Sequence, residues 1–288
     1  MAGALVGSQG AGARVLVTGA TGFVGRHTLK TLMTLGFEVV TPSRQDCDLL
    51  DPAQMRAMLD RVRPTHILHC AWQVTHGRFW TAPENLDWVA ATLLLARHAA
   101  ALGVARFVGV GTCAEYDWSD GGPGRRAETD ATRPDTPYGR AKLATATLLG
   151  DLFAPAGVSF AWARLFHLFG PGEHPARFVP SIAIPLAEGR PATVRHGGLV
   201  RDMIAAVEAG AALAAMVGSD IEGPVNIGSG EGASLAALAG AIAAGRPGLA
   251  VENLPALGQP ARMVADIGRL AALGVRPRGA LRVLGSTQ

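Results

Sequence analysis

The stretch RVLVTGATGFVGRHTLKTL, residues 14–32, decides the fold of this 288-residue chain. It opens with a run dominated by apolar and β-branched residues, 14–18, which predicts a short buried strand, and it closes with the pattern of a helix. Between the two lie Gly19, Gly22 and Gly25, although glycine is unfavourable where a helix is beginning. The spacing therefore indicates that the backbone comes close to another group at this turn.

A strand followed by Gly-x-x-Gly-x-x-Gly and a helix is an arrangement that binds the pyrophosphate of a dinucleotide at the helix N-terminus. Gly19 is predicted to make the tight turn, and Gly22 to let a phosphate approach the backbone. Gly25 is predicted to let the helix pack on the strand. A glycine-rich turn without a ligand is the alternative. Because a strand and a helix flank the glycines, the sequence favours a dinucleotide site.

Strands and helices alternate through the N-terminal half of the chain. Strands are predicted at 14–18, 37–41, 66–70, 106–111 and 159–164, and helices at 23–35, 52–62, 84–103 and 137–154. This order is typical of an α/β fold, a doubly wound parallel sheet of the Rossmann type with helices on both faces.

The regular pattern ends near residue 165, where loops rich in glycine and proline begin, such as FGPGEHPARFVP. We therefore expect a dinucleotide-binding domain over 14–165 and a small, less regular substrate-binding region over 166–288, packed on the sheet. The segment 1–13 lacks the basic start and long apolar core of a signal peptide, so we expect a disordered tail.

Composition excludes several classes of protein. Hydrophobic residues make up 49% and charged residues 17% of the chain, as in a globular enzyme rather than a disordered or fibrous protein. The net charge of +3 comes mostly from scattered arginines, so no nucleic-acid partner is expected. Three widely spaced cysteines predict free thiols in a reducing compartment, without a disulfide or a metal site. The longest apolar runs are too short to span a bilayer, so no membrane association and a cytoplasmic location are expected.

The segment FEVVTPSR, residues 37–44, bears on which dinucleotide is bound. Sites that prefer NAD place a carboxylate near the end of the second strand, where it accepts the ribose 2′-hydroxyl. Ser43 and Arg44 stand there instead, and both can donate to a 2′-phosphate. The pair favours NADP(H), with NAD(H) possible. A solvated loop arginine is the alternative for Arg44.

Tyr138 and Lys142 are four residues apart on a predicted helix, so their side chains share one face. A nearby ammonium favours the phenolate, which predicts a proton exchange by Tyr138 closer to neutral pH than for a free phenol. Alone, this spacing is common. It gains weight because Thr112 follows the strand predicted at 106–111, at the sheet edge where α/β proteins bind ligands.

Together, TGATGFVG, Thr112, Tyr138-x-x-x-Lys142 and RLFHLFGPGE (164–173) resemble the extended short-chain dehydrogenase/reductase family. Members of this family are nucleotide-sugar epimerases, dehydratases and 4-ketoreductases. The resemblance spans roughly residues 14–275 and is strongest before residue 172.

The resemblance implies catalytic roles for three residues. Tyr138 would exchange the proton at the substrate oxygen, Lys142 would lower the pKa of Tyr138 and bind the nicotinamide ribose, and Thr112 would orient the substrate. The other residues implied in cofactor binding are Gly19, Thr21, Gly22, Phe23, Val24, Gly25, Ser43, Arg44, Asp48, Leu49 and Ala71. Thr112, Cys113, His167, Arg177 and Arg201 would line the nucleotide-sugar site.

Other implications concern partners. For Arg201, which corresponds to a diphosphate contact in relatives, a surface ion pair with Asp202 or Glu208 is the alternative. Relatives dimerise through the counterparts of helices 84–103 and 137–154, so a homodimer is expected.

Departures from the family pattern narrow the reaction. Cys113 and Ala114 stand at the positions of the acids that dehydratases carry after the active-site Thr. Glu115 lies one residue further along, and because side chains alternate along a strand, its side chain is expected to point in the opposite direction. Cys113 is one residue away from the position of a 3,5-epimerase Cys, and Arg177 stands where the His of those enzymes would be. These departures favour a 4-ketoreductase of a nucleotide-linked 6-deoxyhexose.

Two alternatives remain for the function: a 4-epimerase with tightly bound NAD, and a non-catalytic NADP-binding sensor. His167 replaces an Asn of the family and is either a substrate partner or a packed loop residue. Trp72, Trp80 and Trp88 either cap a sugar ring or belong to the core or an interface.

Overall fold

The computed structural model describes residue 10 and residues 12–119, 124–256 and 258–286. The strands are β1 Arg14–Thr18, β2 Glu38–Val40, β3 His66–His69, β4 Arg106–Thr112, β5 Arg125–Arg126, β6 Ser159–Leu165, β7 His167–Phe169, β8 Ala192–Val194, β9 Val200–Ala205, β10 Gly223–Ile227, β11 Gly232–Ser234, β12 Leu249–Val251 and β13 Arg262–Ala265. The helices are α1 Leu29–Thr34, α2 Pro52–Val62, α3 Glu84–Ala101, α4 Pro137–Ala156, α5 Phe178–Ala187, α6 Ala206–Val217, α7 Leu235–Ala243, α8 Gly268–Ala272 and α9 Ala280–Gly285. Short 3₁₀ turns cover Gly25–His27 and Cys113–Glu115.

A parallel six-stranded sheet forms the centre, in the order β10-β6-β4-β3-β1-β2. Its strands are apolar because both faces are covered. In β1, Val15 and Val17 pack into one core with Leu213 of α6, whereas Leu16 packs into the opposite core with Leu59 of α2. This division follows from the alternation of side chains along a strand. The predicted doubly wound α/β sheet is confirmed.

The helices that carry site residues have clear end signals. Asp51 caps α2 by accepting from the amides of Ala53 at 2.8 Å and Gln54 at 3.2 Å. Thr136 caps α4, where its hydroxyl accepts from the Gly139 amide at 3.1 Å, and Gly157 ends this helix in the left-handed conformation. The cap places Tyr138 and Lys142 in the first two turns of α4, next to the end of β4.

The central sheet continues beyond the predicted boundary at residue 165. β10 pairs in parallel with β6, and α6 covers the face next to β1. A Cβ at Gly210 would lie 2.2 Å from the His27 carbonyl oxygen, so only glycine allows α6 this close to the 3₁₀ turn Gly25–His27. A second sheet has the order β11-β9-β13-β5, with β7 also pairing with β9, and a third consists of β8 and β12.

The predicted tail, 1–13, falls only partly on described residues, since 1–9 and 11 lie outside them. Gly10 is buried, and the Ala13 carbonyl accepts from the Glu38 amide at 3.0 Å. The end of this segment therefore packs against β2, contrary to the expectation of disorder. No helix in the described part of the chain is both long and apolar enough to cross a membrane.

Candidate active site

A cavity of about 990 Å³ opens at the carboxyl ends of β1, β3, β4 and β6. This is the edge of a parallel sheet at which α/β proteins bind ligands. Its lining includes every residue predicted to bind the cofactor: Gly19, Thr21, Gly22, Phe23, Val24, Gly25, Ser43, Arg44, Asp48, Leu49, Ala71, Tyr138 and Lys142. Thr112, Cys113, His167 and Arg177 also line it. Residues that are distant in sequence therefore meet around one cavity.

The glycine turn has the geometry that its spacing predicts at two of the three positions. Gly19 has a φ of +69°, and a Cβ there would lie 2.7 Å from the Ala71 amide nitrogen. A Cβ at Gly25 would lie 2.3 Å from the Gly19 carbonyl oxygen. Gly19 therefore allows the tight turn against the segment after β3, and Gly25 allows the helix to approach it.

Arg26 is a cavity residue that the sequence reasoning missed. Its Nε donates to the Gly22 carbonyl at 3.1 Å, and its Nη2 donates to the Thr21 carbonyl at 3.1 Å. The guanidinium is thus folded back over the glycine turn and adds positive charge to the place expected for phosphates. In the sequence, only the position of Arg26 directly after Gly25 indicates that its positive charge lies near the expected phosphates.

Of the two donors expected after β2, Ser43 and Arg44, the Ser43 hydroxyl already donates to a carboxylate of the protein. Ser43 donates its hydroxyl proton and its amide to Asp46 Oδ2, at 2.6 Å and 2.8 Å. These two bonds lower the pKa of Asp46. A carboxylate therefore stands beside Ser43, whose hydroxyl proton is engaged, and Arg44 is the exposed donor at this end of the cavity. The expectation that both Ser43 and Arg44 donate to a 2′-phosphate is corrected in this respect.

Thr112 ends β4 and caps the short 3₁₀ turn that follows. Its hydroxyl accepts from the Ala114 amide at 3.2 Å, and its amide donates to Glu115 Oε1 at 2.9 Å. Glu115 is completely buried and pairs with Arg164 Nε at 2.9 Å. Its side chain thus points away from the cavity; because Cys113–Glu115 form a 3₁₀ turn and not a continued strand, this direction follows from the turn and not from the expected strand alternation. The side chains of Thr112, Cys113 and Ala114 contain no carboxyl group. With Glu115 turned away, no acid from this segment reaches the cavity.

Tyr138 is 8% exposed and lies in a pocket of aromatic rings. Its ring meets Phe79 edge-on, with centroids 4.9 Å apart, and its amide donates to the Trp80 carbonyl at 3.1 Å. Burial raises the pKa of Tyr138 well above its usual range, and the charge of Glu115 adds to this. The phenol is therefore a proton donor at neutral pH.

The lowering of the Tyr138 pKa by Lys142, expected from their spacing, is outweighed, because burial raises that pKa. Its Nζ donates to the Val110 carbonyl at 2.8 Å, and the side chain is 3% exposed. Burial lowers the pKa of Lys142 to about 7, against the charges of Glu115 and Cys70. The helix places both groups on one face, but the lysine turns toward β4 and keeps two of its three donors for other partners.

Besides Thr112, three of the predicted substrate residues line the cavity. Burial raises the pKa of Cys113 to about 12, so it is a neutral thiol. His167 lines the cavity with a buried Nδ1 that has no hydrogen-bond partner, and burial lowers its pKa to about 3. Arg177 pairs with Glu173 at 3.0 Å and lies over the Phe23 ring, with 5.8 Å between its Cζ and the ring centroid.

Arg201 is not among the lining residues of this cavity. It is buried, and its Nη1 donates to the carbonyls of Val200 and Pro260, each at 2.9 Å. The alternative of a surface ion pair does not hold either, because Asp202 accepts from Ser229 and Glu208 pairs with Arg278. In this structure Arg201 ties β9 to the segment before β13.

The three tryptophans predicted near the sugar all line the cavity, but they differ in exposure. Trp80 is 43% exposed and stands at 90° to the Tyr138 ring, with centroids 5.7 Å apart. Trp72 donates its Nε1 to Asn85 at 2.9 Å and lies 6.2 Å from the ring of Trp88. Trp80 is therefore the most exposed of the three, and the half-buried Trp72 and Trp88 support the cavity wall.

Comparisons with known proteins agree with this geometry. Residues 15–228 match the model of the NAD dependent epimerase/dehydratase family. The chain is 30% identical to a dTDP-4-keto-6-deoxy-D-glucose reductase of Streptomyces niveus, over 64% of this chain and 69% of that protein. It is 28% identical to a UDP-glucose 4-epimerase of Rhizobium leguminosarum bv. trifolii, over 81% of this chain and 82% of that protein. A crystal structure of the UDP-glucose 4-epimerase of Thermus thermophilus in complex with NAD superposes with a TM-score of 0.82 at 27% identity, covering 95% of this chain and 98% of the other.

Proposed function

Because the chain belongs to the NAD dependent epimerase/dehydratase family, we propose that it is an NADP(H)-dependent reductase of a nucleotide-linked 4-keto-6-deoxyhexose. The family relationship identifies an enzyme of the NAD(P)-dependent oxidoreductase type, so the alternative of a non-catalytic sensor is not retained. The observation that carries the proposal is the convergence of Thr112, Tyr138 and Lys142 on the cavity that the glycine turn also lines.

The residues of this cavity fit a dinucleotide. Its volume of about 990 Å³ is near the upper end of the range for small-molecule sites, roughly 300–1,000 Å³. The glycine turn and Arg26 would hold the pyrophosphate, and Lys142 would donate to the nicotinamide ribose through its two remaining N–H groups. The bound cofactor would supply a hydride for the carbonyl carbon of the sugar.

The protein side of the reduction requires a proton donor at the carbonyl oxygen. Tyr138 suits this role because burial keeps its phenol protonated at neutral pH. The Thr112 hydroxyl, which lines the same cavity, would orient the same oxygen. Trp80 and His167 line the cavity and are available for the hexose, whose C–H surface suits an aromatic face. Because no carboxyl group follows Thr112 into the cavity, loss of water from the sugar is not favoured.

The preference for NADP(H) rests on Arg44, which is exposed at the end of the cavity next to β2. A guanidinium there would pair with a 2′-phosphate. The Asp46 carboxylate on Ser43 works against this preference, since it would accept a ribose 2′-hydroxyl and repel a phosphate.

A 4-epimerase with tightly bound NAD is the second candidate. The position of Asp46 favours it, and so does the similarity to UDP-glucose 4-epimerases, which extends over more of the chain than the similarity to the reductase.

One experiment separates the two candidates. The purified protein is incubated with dTDP-4-keto-6-deoxyglucose and NADPH, and in parallel with UDP-glucose without added cofactor. A reductase oxidises NADPH stoichiometrically with sugar reduction in the first reaction and forms no UDP-galactose in the second. An epimerase carries bound NAD through purification and interconverts UDP-glucose and UDP-galactose without net NADPH oxidation.

A homodimer through α3 and α4 belongs to the same proposal. A groove of about 330 Å³ lies between these helices and is lined by Ala90, Leu93, Leu94, Arg97, Leu148 and Leu152. Leu148 and Leu86 remain 45% and 71% exposed. An apolar face of this kind on two neighbouring helices suits a four-helix interface with a second copy. We also propose a cytoplasmic location, because Cys47, Cys70 and Cys113 are unpaired thiols.

A further inference from the structure

The Lys142 ammonium lies against the face of an indole ring. Its Nζ is 3.7 Å from the centroid of Trp72 and 5.8 Å from that of Trp162. On the β4 side the same nitrogen donates to the Val110 carbonyl at 2.8 Å. Glu115, whose charge acts on the lysine, is paired with Arg164 rather than with Lys142. Aromatic faces and one carbonyl therefore form the immediate surroundings of this cation.

Trp72 is fixed in its place over the lysine. Its Nε1 donates to Asn85 Oδ1 at 2.9 Å, and Asn85 is 4% exposed. The Asn85 amide in turn donates to the carbonyls of Phe79 at 2.8 Å and Ala82 at 2.9 Å. The indole is thus tied to the start of α3 and to the segment before it, which prevents the ring from turning its edge toward the ammonium.

A buried ammonium needs such a partner. Burial favours the neutral amine, and it lowers the pKa of Lys142 to about 7. The titratable groups that act on the lysine from neighbouring elements are Glu115 and Cys70, and His69 lies close enough for the lysine charge to affect it. An aromatic face attracts only the charged form, because the ring quadrupole acts on a cation. The indole therefore opposes the effect of burial.

We propose that the indole face of Trp72 holds the Lys142 ammonium in its charged form and directs it into the cavity, which makes Trp72 a positioning residue for this lysine. The contact itself does not depend on the reaction. Its catalytic importance rests on the proposed function, since a charged lysine with two unused N–H donors is what the ribose hydroxyls of a nicotinamide cofactor require.

The composition of the chain offers a direct test, because its only lysines are Lys30 and Lys142. In the Lys30→Arg background, protein labelled with carbon-13 at lysine Cε gives one lysine signal, whose chemical shift follows the protonation of Lys142. We expect Trp72→Met to lower the pKa of Lys142 by about 0.5–1.5 pH units, the range that a desolvated cation–π contact implies. Trp72→Phe keeps a weaker aromatic face and should lower it less. Trp80→Leu, a change on the same segment but against Tyr138, should leave it unaltered.

An unchanged or raised pKa of Lys142 in Trp72→Met would overturn the proposal. If that variant does not fold, Trp72→Phe decides alone, since equality with the parent protein would count against a role of the indole. A second measurement links the contact to the cofactor. The pH above which NADPH affinity declines should lie about 0.5–1.5 pH units lower in Trp72→Met than in the parent, whose Lys142 loses its proton near pH 7. An absence of reductase activity with an intact lysine titration would refute only the proposed function.

Discussion

The Thr112 amide donates a hydrogen bond to Glu115 Oε1 at 2.9 Å, and this carboxylate is completely buried on the side of β4 away from the cavity. The same carboxylate accepts from Trp162 Nε1 at 2.9 Å and from Arg164 Nε at 2.9 Å. A Cβ at Gly111 would lie 2.1 Å from Trp162 Nε1. Glycine is therefore required between Val110, which accepts from Lys142, and Thr112. The buried acid thus anchors the turn that presents Thr112 to the substrate.

Replacing Glu115 by Gln is expected to destabilise the protein by about 3–5 kcal/mol, because the change leaves Arg164 buried without its counter-charge. Urea unfolding measures the loss. The double variant Glu115→Gln with Arg164→Met removes both charges and should recover part of the stability, whereas additive losses would show that the two side chains are not coupled.

Tyr138→Phe is expected to lower turnover about 10²–10⁴-fold, because it removes the proton donor, and to leave NADPH binding nearly unchanged. The chain contains one other tyrosine, Tyr116, which donates to Asn226 Oδ1 at 2.7 Å away from the cavity. Tyr116→Phe is therefore the matched control and should keep its turnover. Steady-state rates with a keto-sugar and fluorescence titration with NADPH check both effects. A Tyr138→Phe enzyme that retains full turnover would remove the phenol from the mechanism.

Arg44 and Asp46 should change cofactor preference in opposite directions. Arg44→Ala is expected to raise the KM for NADPH by about tenfold, roughly the value of one charge-assisted contact, and to affect the KM for NADH little. Asp46→Asn should lower the KM for NADPH relative to that for NADH, because it removes the carboxylate beside Ser43. Equal effects of Arg44→Ala on the two cofactors would mean that its guanidinium does not meet a 2′-phosphate.

Acid sensitivity of folding is expected from His167, a half-buried histidine whose Nδ1 is buried without a hydrogen-bond partner. Burial lowers its pKa to about 3, so as the pH falls below 6.5 the unfolded chain binds a proton that the folded chain does not. This contribution to stability is therefore complete above pH 6.5 and is lost progressively toward pH 3. Between pH 8 and pH 5 the loss is about 2 kcal/mol. Between pH 8 and pH 5 the free energy of unfolding of His167→Asn should therefore decline by about 2 kcal/mol less than that of the parent protein. A decline as steep as in the parent protein would show that His167 is not held neutral.

The α3–α4 groove predicts a dimer that a single charge disrupts. Leu148→Glu places a carboxylate on this face and should convert the dimer to monomer in analytical ultracentrifugation. Leu281→Glu is the control, since Leu281 is 41% exposed on α9, away from the groove. A parent protein that sediments as a monomer at micromolar concentration would contradict the dimer.

Local pattern was sufficient for the N-terminal half of the fold. β1 and α2 lie at the residues predicted, and most of the other predicted strands and helices of this half differ at their ends by one or two residues. The helix predicted at 23–35 is the exception, because the structure has a 3₁₀ turn over Gly25–His27 and an α-helix only over Leu29–Thr34. The reason is that these elements are stabilised by short-range features: alternation in a doubly buried strand, an Asp–Pro helix start at Asp51 and Pro52, and glycines with a required φ. The glycine spacing likewise predicted the tight turn at Gly19 and the close packing at Gly25.

Local sequence patterns did not predict the contacts between segments that are distant in the chain. β10 enters the central sheet 58 residues after β6 ends, as the bounds Leu165 and Gly223 show, and no local signal indicates which strand it joins. The contacts of Lys142 with the Val110 carbonyl and the Trp72 ring depend on burial in the folded protein, because these partners come from segments far from α4 in the chain. Periodicity thus predicts where each residue lies along its element, whereas the partner and the charge state of a buried side chain follow from the packing of elements far apart in the chain.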